Sequence, residues 1–85
     1  MPQVPTRGTT VERIMSRPAF ACGVADARAG RPPDPRVLDH PDTNYAWTYE
    51  RGRQWACLAP CSVPLKVNGR INPEAIRWYR RADIL

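Results

Sequence analysis

The chain has 85 residues, of which 42% are hydrophobic and 25% are charged. This size and composition describe one small globular domain with a modest core, and they exclude a large enzyme assembled from several parts. Ten prolines exclude one long continuous helix. No apolar run approaches the roughly 20 residues of a membrane span and no secretion leader precedes the domain, so we expect a cytoplasmic protein without membrane contact.

The beginning of the chain is predicted to be irregular. Residues 1–9 contain two prolines and one glycine among polar residues, which is typical of a flexible N-terminal arm. Residues 10–85 are expected to form a single small helical domain. Thr10 is a suitable cap for a short helical turn that extends to Met15.

A first main helix is predicted over about 17–29. Proline is tolerated in the first turn of a helix, so Pro18 makes Ser16 the expected N-cap, and Gly30 is the expected terminator. The next segment, 31–42, contains four prolines. We expect it to be an extended, semi-rigid connector.

A second main helix is predicted over about 43–59, with Asp42 or Thr43 as its N-cap and Pro60 as its end. The two main helices carry the same apolar spacing, in which an aromatic residue is followed by glycine three residues later and by alanine four residues after that. The six positions are Phe20, Gly23 and Ala27 in the first helix and Tyr49, Gly52 and Ala56 in the second. Each set falls within about a third of the helix circumference.

A glycine inside a helix is unfavourable by about 1 kcal/mol relative to alanine, so some other interaction should offset it. The simplest offset is the close approach of two backbones at Gly23 and Gly52. We therefore predict an antiparallel helical hairpin that crosses at these glycines, with Phe20 and Tyr49 packed over the crossing. Chance recurrence in an alanine-rich sequence is the alternative.

The last third of the chain combines a turn signal with a strong helix start. The dipeptide Asn68-Gly69 follows alternating apolar residues and favours a tiny β-hairpin within 62–71. Residues 72–74 then supply an N-cap, a proline at the first helical position and an acid near the positive end of the dipole. A last, amphipathic helix is predicted over about 73–83, and its packing across the hairpin of main helices completes an all-α fold.

The glycine-containing segments are Phe20-Ala-Cys-Gly23-Val-Ala-Asp-Ala27-Arg-Ala-Gly30 and Trp47-Thr-Tyr49-Glu-Arg-Gly52-Arg-Gln-Trp55-Ala56. With the connector between them, over about residues 17–60, they resemble the ribosome modulation factor family and its phage and proteobacterial members. The resemblance implies two helices with aromatic-x2-Gly elements, and a protein that docks on ribosomal RNA and blocks translation initiation. The enterobacterial member is shorter and begins with a basic arm, whereas here only Arg7 and Arg13 precede the first main helix and a segment, 61–85, is added.

Thirteen basic residues against eight acidic ones give a net charge of +5, and twelve of the thirteen are arginine. Because arginine pairs bidentately with phosphate, this balance favours an RNA-rich or otherwise acidic partner, although solubility alone explains it equally well. The residues predicted to bind nucleic acid or a protein partner are Arg51, Arg53, Arg77, Arg80 and Arg81, with Trp47 as a stacking residue. The alternatives are that the arginines of the last helix merely favour its dipole and that Trp47 belongs to the core.

Three cysteines are an odd number for a chain without a signal peptide, so structural disulfides are not expected. Cys22, Cys57 and Cys61 could form a Cys3His zinc site with His40, but the spacing fits no standard motif. Packing of the cysteines in the core is the simpler interpretation, and we expect no metal or cofactor. No Ser/His/Asp spacing, phosphate-binding glycine loop or HExxH motif is present, so we do not expect an enzyme.

Together these features indicate a non-catalytic basic binding protein. The first hypothesis is a modulator of translation that associates with the ribosome or ribosomal RNA and acts by occlusion, as the family resemblance implies. The second hypothesis is a small phage- or prophage-encoded inhibitor that binds a host protein and blocks its active or nucleic-acid-binding surface. The sequence leaves the partner and the oligomeric state open.

Overall fold

The computed structural model describes residues 10–82. Within this range the chain forms five helices and one two-stranded hairpin, namely α1 (Val11–Met15), α2 (Pro18–Arg28), α3 (Pro35–Leu38), α4 (Thr43–Leu58), β1 (Lys66–Val67), β2 (Arg70–Ile71) and α5 (Pro73–Arg81). The predicted all-α class with a tiny β-hairpin is therefore confirmed. The predicted arm at 1–9 and the last residue of the predicted helix 73–83 lie outside the described residues.

Three of the helix starts follow directly from the sequence. The side chains of Thr10, Asp42 and Asn72 each accept a hydrogen bond from a backbone N–H two or three residues farther on, as N-caps do. The prediction that Ser16 caps the next helix is wrong, because Ser16 ends α1 and donates its hydroxyl to a carbonyl of that helix. Arg17 stands at the N-cap of α2 and supplies no side-chain cap.

The connector between α2 and α4 is not extended throughout, so that prediction is wrong over Pro35–Leu38. A single helical turn, α3, forms there because Asp34 caps it and proline occupies its first position. The Asp34 amide donates a hydrogen bond of 3.2 Å to the hydroxyl of Tyr49 in α4. The connector is thus attached to the face of α4 that it passes.

Helices α2 and α4 touch backbone to backbone at their two glycines. A Cβ atom added at Gly23 would collide with the carbonyl oxygen of Tyr49, and one added at Gly52 would collide with that of Phe20. The contact is reciprocal because the same spacing is repeated in both helices. Phe20 and Tyr49 are both fully buried beside it.

The two helices run in the same direction, so the predicted antiparallel arrangement is wrong. At the start of α2, the Nη1 atom of Arg17 lies 3.5 Å from the hydroxyl of Thr48 in the first half of α4. At the end of α2, Arg28 donates a hydrogen bond of 3.1 Å to the carbonyl of Pro60, just beyond α4. An antiparallel pair crossing at the glycines would hold both of these pairs far apart.

The parallel orientation accounts for the length of the connector. Helix α2 has 11 residues and is therefore about 16 Å long. The chain must return over that length before α4 can start beside the start of α2. Residues 29–42 cover this distance, whereas helix pairs joined as simple antiparallel neighbours need roughly 2–8 residues.

The remaining elements close the core against this pair. The indole Nε1 of Trp55 donates a buried hydrogen bond of 3.0 Å to the carbonyl of Ala75, which joins α4 to α5. The ring of Phe20 lies 6.3 Å from that of Trp55 and 6.1 Å from that of Tyr79, measured between centroids. Aromatic residues of three helices therefore share one core, which also contains buried aliphatic residues such as Ile14.

The β-hairpin is a short link between the core and α5. Asn68 and Gly69 have φ angles of 55° and 77°, as a two-residue turn of this kind requires. Lys66 pairs with Ile71, and only Ile71 of the strand residues is buried. The hairpin therefore presents its cations to solvent while Ile71 attaches it to the core.

We predict that Gly23→Ala and Gly52→Ala each lower the free energy of unfolding by at least about 2 kcal/mol, because the added Cβ would overlap backbone atoms that cannot move freely. Helix propensity alone predicts the opposite sign, a gain of about 1 kcal/mol. Urea unfolding followed by circular dichroism distinguishes the two. Ala25→Gly, at an exposed position of α2, is the matched control and should cost only about 1 kcal/mol. Stabilisation by either glycine replacement would contradict the close contact.

Candidate functional site

Positive charge is concentrated in the last part of the described chain. Residues 61–82 contain five cations and a single acid, Glu74, whereas residues 10–60 contain nearly equal numbers of both signs. The five cations are all exposed, and they are Lys66, Arg70, Arg77, Arg80 and Arg81. The hairpin and α5 therefore carry most of the net charge.

Two cations elsewhere in residues 10–82 are neutralised by neighbouring acids. Arg31 forms an ion pair of 3.0 Å with Asp26, and Arg36 forms one of 3.1 Å with Asp34. These pairs belong to the connector and the end of α2, and exposed pairs of this kind add little stability. Their effect is to leave that side of the molecule close to neutral.

The exposed side of α5 forms what we call the α5 cationic face, which consists of Arg77, Trp78, Arg80 and Arg81. Arg77 donates a hydrogen bond of 2.7 Å to Glu74 and so is partly neutralised. The Arg81 guanidinium lies 4.8 Å from the ring centroid of Trp78. The Arg80 side chain makes no hydrogen bond or ion pair with any residue in the range 10–82. Within this face, Arg80 and Arg81 are therefore the cations best placed to meet an external anion.

Trp78 is not among the binding residues predicted from the sequence, although it lies at the edge of this face. It is half-buried, with one part against the core and Arg81 over its ring. The spacing of three residues between Trp78 and Arg81 is the signal that indicates such a pair on a helix. Stacking on the indole restricts the exposed Arg81 side chain.

Trp47 and Arg51 form a second aromatic–arginine pair on α4. The guanidinium of Arg51 lies 4.9 Å from the ring centroid of Trp47, and Trp47 packs against the core. One side of the indole is thus covered by arginine and another by the core. This arrangement leaves Trp47 with little free ring for a base.

The charge of Arg51 also influences Tyr79 in α5. Burial raises the pKa of Tyr79, and the positive charge of Arg51 opposes that shift. Within residues 10–82 the buried Tyr79 hydroxyl has no hydrogen-bond partner. Its contribution to the core is therefore made by the ring and not by the oxygen.

Arg51 and Arg53 line an open groove of about 410 Å³ between the connector and α4, which we call the connector groove. Its other lining residues are Pro33, Leu38, Glu50 and Gln54. Leu38 is 44% exposed, so the groove has an apolar wall on the connector side and charged side chains on the helix side. Two of the predicted binding residues thus share a concave surface that is distinct from the α5 cationic face.

A hydrogen-bond network fixes the connector wall of this groove. Asp26 accepts hydrogen bonds of 2.6 Å from the Tyr49 hydroxyl and 3.0 Å from Arg31 Nε. These two bonds, that from Tyr49 first, lower the pKa of Asp26 below its ordinary value of 3.8. Because the Tyr49 hydroxyl also accepts from the Asp34 amide, one buried tyrosine links α2, the connector and α4.

The cysteines and the histidine do not assemble a metal centre. All three cysteines are exposed, so the interpretation of Cys22, Cys57 and Cys61 as packed core residues is wrong. His40 stacks on Tyr45 with ring centroids 4.6 Å apart, and its Nδ1 accepts a backbone hydrogen bond. Residues 10–82 contain no group of three or more Cys, His, Asp or Glu that could hold a metal ion, so the Cys3His alternative lacks its geometry.

Comparison with known proteins identifies no relative. No protein-family model matches the chain, and neither a curated protein nor a solved structure matches it. Among residues 10–82, no helix combines the length and the apolar character needed to cross a membrane.

We predict that removal of the Tyr49 hydroxyl makes the free energy of unfolding less dependent on pH in the acid range. Since the pKa of Asp26 is lower in the folded chain than in the unfolded chain, its carboxylate stabilises the fold above the unfolded value. That contribution falls as the pH drops through the folded value. Unfolding measured from about pH 6 to about pH 2 should show a weaker pH dependence for Tyr49→Phe than for wild type. Equal pH dependence in the two proteins would show that the network contributes nothing.

Tyr79→Phe should behave in the opposite way to Tyr49→Phe in thermal and urea unfolding. The Tyr79 hydroxyl is buried without a partner, so its removal should leave the free energy of unfolding unchanged or raise it by up to about 1 kcal/mol. Tyr49→Phe is the matched control, and it should be less stable than wild type at neutral pH. A loss of stability in Tyr79→Phe as large as that in Tyr49→Phe would mean that the Tyr79 hydroxyl is hydrogen-bonded in solution.

Proposed function

We propose that the protein is a non-catalytic binding protein that associates with ribosomal RNA and modulates translation by occluding a functional surface of the ribosome. The observation that supports this most is the α5 cationic face, where Arg80 and Arg81 are exposed beside Trp78. The ribosomal partner is the one implied by the resemblance of residues 17–60 to the ribosome modulation factor family.

The chemistry of the face suits the phosphates of an RNA backbone. Arginine presents a planar set of donors that matches the geometry of phosphate. Stacking on Trp78 holds the guanidinium of Arg81 in place. A charge that is already positioned loses less conformational freedom when it binds. Exposed Lys66 and Arg70 in the neighbouring hairpin add positive charge to the same part of the chain.

The attachment of α5 to the core supports an occlusion mechanism. The Asn72 cap fixes its start, and the bond from Trp55 to Ala75 fixes its inner side against α4. A helix held at both places carries its arginines as a rigid unit. Such a domain can cover a site on a larger particle by bulk alone, without a chemical step of its own.

The test is sedimentation of host-cell extract on sucrose gradients. We predict that the protein migrates with ribosomal particles at low salt and dissociates at high salt, since each neutralised phosphate makes binding more salt-dependent. Arg80→Gln/Arg81→Gln should weaken the association by about tenfold or more at the same salt concentration. Arg13→Gln/Arg36→Gln removes the same net charge from exposed positions on α1 and α3, and it should bind nearly as wild type.

Two results would contradict this function. The first is equal loss of binding in both double variants, which would indicate a net-charge effect without a defined face. The second is recovery of one stoichiometric protein partner after nuclease treatment, together with no sedimentation with ribosomal particles. That second result would favour the alternative, a small phage- or prophage-encoded inhibitor of a host protein.

A further inference from the structure

Residues 10–82 contain four half-buried arginines, which differ in whether their side chains have a partner. They are Arg17, Arg28, Arg51 and Arg53. Arg17 donates to Thr48, Arg28 donates to the Pro60 carbonyl, and Arg51 stacks over Trp47. The Arg53 side chain makes no hydrogen bond, ion pair or ring contact with any described residue.

Solvent does not reach one donor atom of the Arg53 guanidinium, although the residue as a whole is only half-buried. Its Nη1 atom is buried and has no hydrogen-bond partner within residues 10–82. A buried donor of a charged group that lacks a partner is strongly unfavourable, and such groups are normally paired or bound to an ion. Arg53 also lies at the contact of α2 with α4, where its backbone nitrogen is 3.0 Å from the place that a Cβ atom added to Gly23 would occupy. Its backbone is therefore fixed by the helix crossing.

The surroundings of Arg53 define what an external partner would be. The connector groove offers Arg51 as a second cation, Glu50 as an exposed carboxylate, and Gln54 as an amide. Glu50 lines the same groove and forms no ion pair with Arg53. At about 410 Å³ the groove is larger than a simple anion needs. Its occupant should therefore combine an anionic group, hydroxyl or amino donors, and an apolar or flat surface.

We propose that the connector groove is a nucleotide site, in which Arg53 binds the phosphate and Arg51 adds positive charge. The Glu50 carboxylate accepts a hydrogen bond from a ribose hydroxyl, and Gln54 binds a polar edge of the base. The base lies against the apolar wall of Pro33 and Leu38. The chemical class is a nucleoside phosphate, whether free or as one unit of an RNA strand. The RNA form of this site rests on the proposed function, whereas the phosphate site itself does not.

A nucleotide ligand would account for the Glu50 carboxylate, which lines the groove together with Arg51 and Arg53. In a site for phosphate alone Glu50 would only repel the ligand. In a site for a nucleotide it supplies an acceptor for the 2′-hydroxyl, the group that separates ribose from deoxyribose. The site should therefore prefer a ribonucleotide to the matching deoxyribonucleotide.

Isothermal titration calorimetry on the full chain tests the site with a nucleoside 5′-monophosphate, the same nucleoside without phosphate, and a short single-stranded RNA. We expect phosphate-dependent binding that Arg53→Gln weakens by about tenfold or more. Arg53→Lys should bind at an intermediate level because it keeps the charge and loses the planar fork. Arg13→Gln, at an exposed position on α1 outside both surfaces, is the control and should bind the monophosphate as wild type does.

Comparison of the free monophosphate with the RNA distinguishes the two sources of phosphate. Binding of the free monophosphate with loss in Arg53→Gln supports a free-nucleotide site. Binding of only the RNA, with loss in Arg53→Gln, supports an RNA-backbone site. Unchanged affinity in Arg53→Gln for every ligand, equal affinity for the nucleoside without phosphate, or absence of binding to all of them would overturn the proposal.

Glu50→Gln provides a second test at an exposed position, where failure to fold is not expected. It should bind inorganic phosphate more tightly than wild type and discriminate less between ribonucleotide and deoxyribonucleotide. Unchanged discrimination would overturn the role of Glu50. The site and the proposed function fail separately, because Arg80→Gln/Arg81→Gln should weaken ribosome association while leaving binding in the connector groove in place.

Discussion

The fold depends on the reciprocal contact between the backbones of α2 and α4. Gly23 lies against the carbonyl of Tyr49, and Gly52 lies against the carbonyl of Phe20, so neither position has room for a Cβ atom. Phe20 and Tyr49, beside the glycines, are both fully buried, and Phe20 belongs to the core that also contains Trp55 and Tyr79. That core in turn holds α5, through the bond from Trp55 to the chain at Ala75.

The direction of this pair has consequences for both candidate surfaces. Since α2 and α4 run the same way, the connector must return along their length, and it is attached there by the Tyr49 hydroxyl. The return path creates the connector groove, with Arg53 at its helix wall. The α5 cationic face lies on the element added after α4. The two surfaces are therefore positioned by one contact but carry different chemistry, namely an exposed cationic helix face and a concave site with an unpartnered arginine.

Much of the local structure follows from the sequence. The predicted bounds of the main helices and of α5 agree with the observed bounds to within a few residues. The reason is that caps such as Asn72, and the turn at Asn68-Gly69, act through short-range hydrogen bonds and φ preferences. The glycine spacing also indicated which faces meet. Their relative direction was not determined by that spacing, because the same face can meet a partner in either sense. The connector length carried the missing information. The i, i+3 spacing of Trp78 and Arg81 indicates their stacking, because both lie on α5. The isolation of Arg53 does not follow from spacing, since it depends on how distant elements pack.

Nuclear Overhauser contacts between the two helices test the central claim most directly. The parallel glycine contact predicts a contact from the Gly23 Hα protons to the Arg53 amide proton and another from the Gly52 Hα protons to Phe20 Hα. It also predicts contacts between the ends of the helices, from Arg28 to Trp55. Absence of both glycine contacts, with Arg28 instead close to the first turn of α4, would contradict the account.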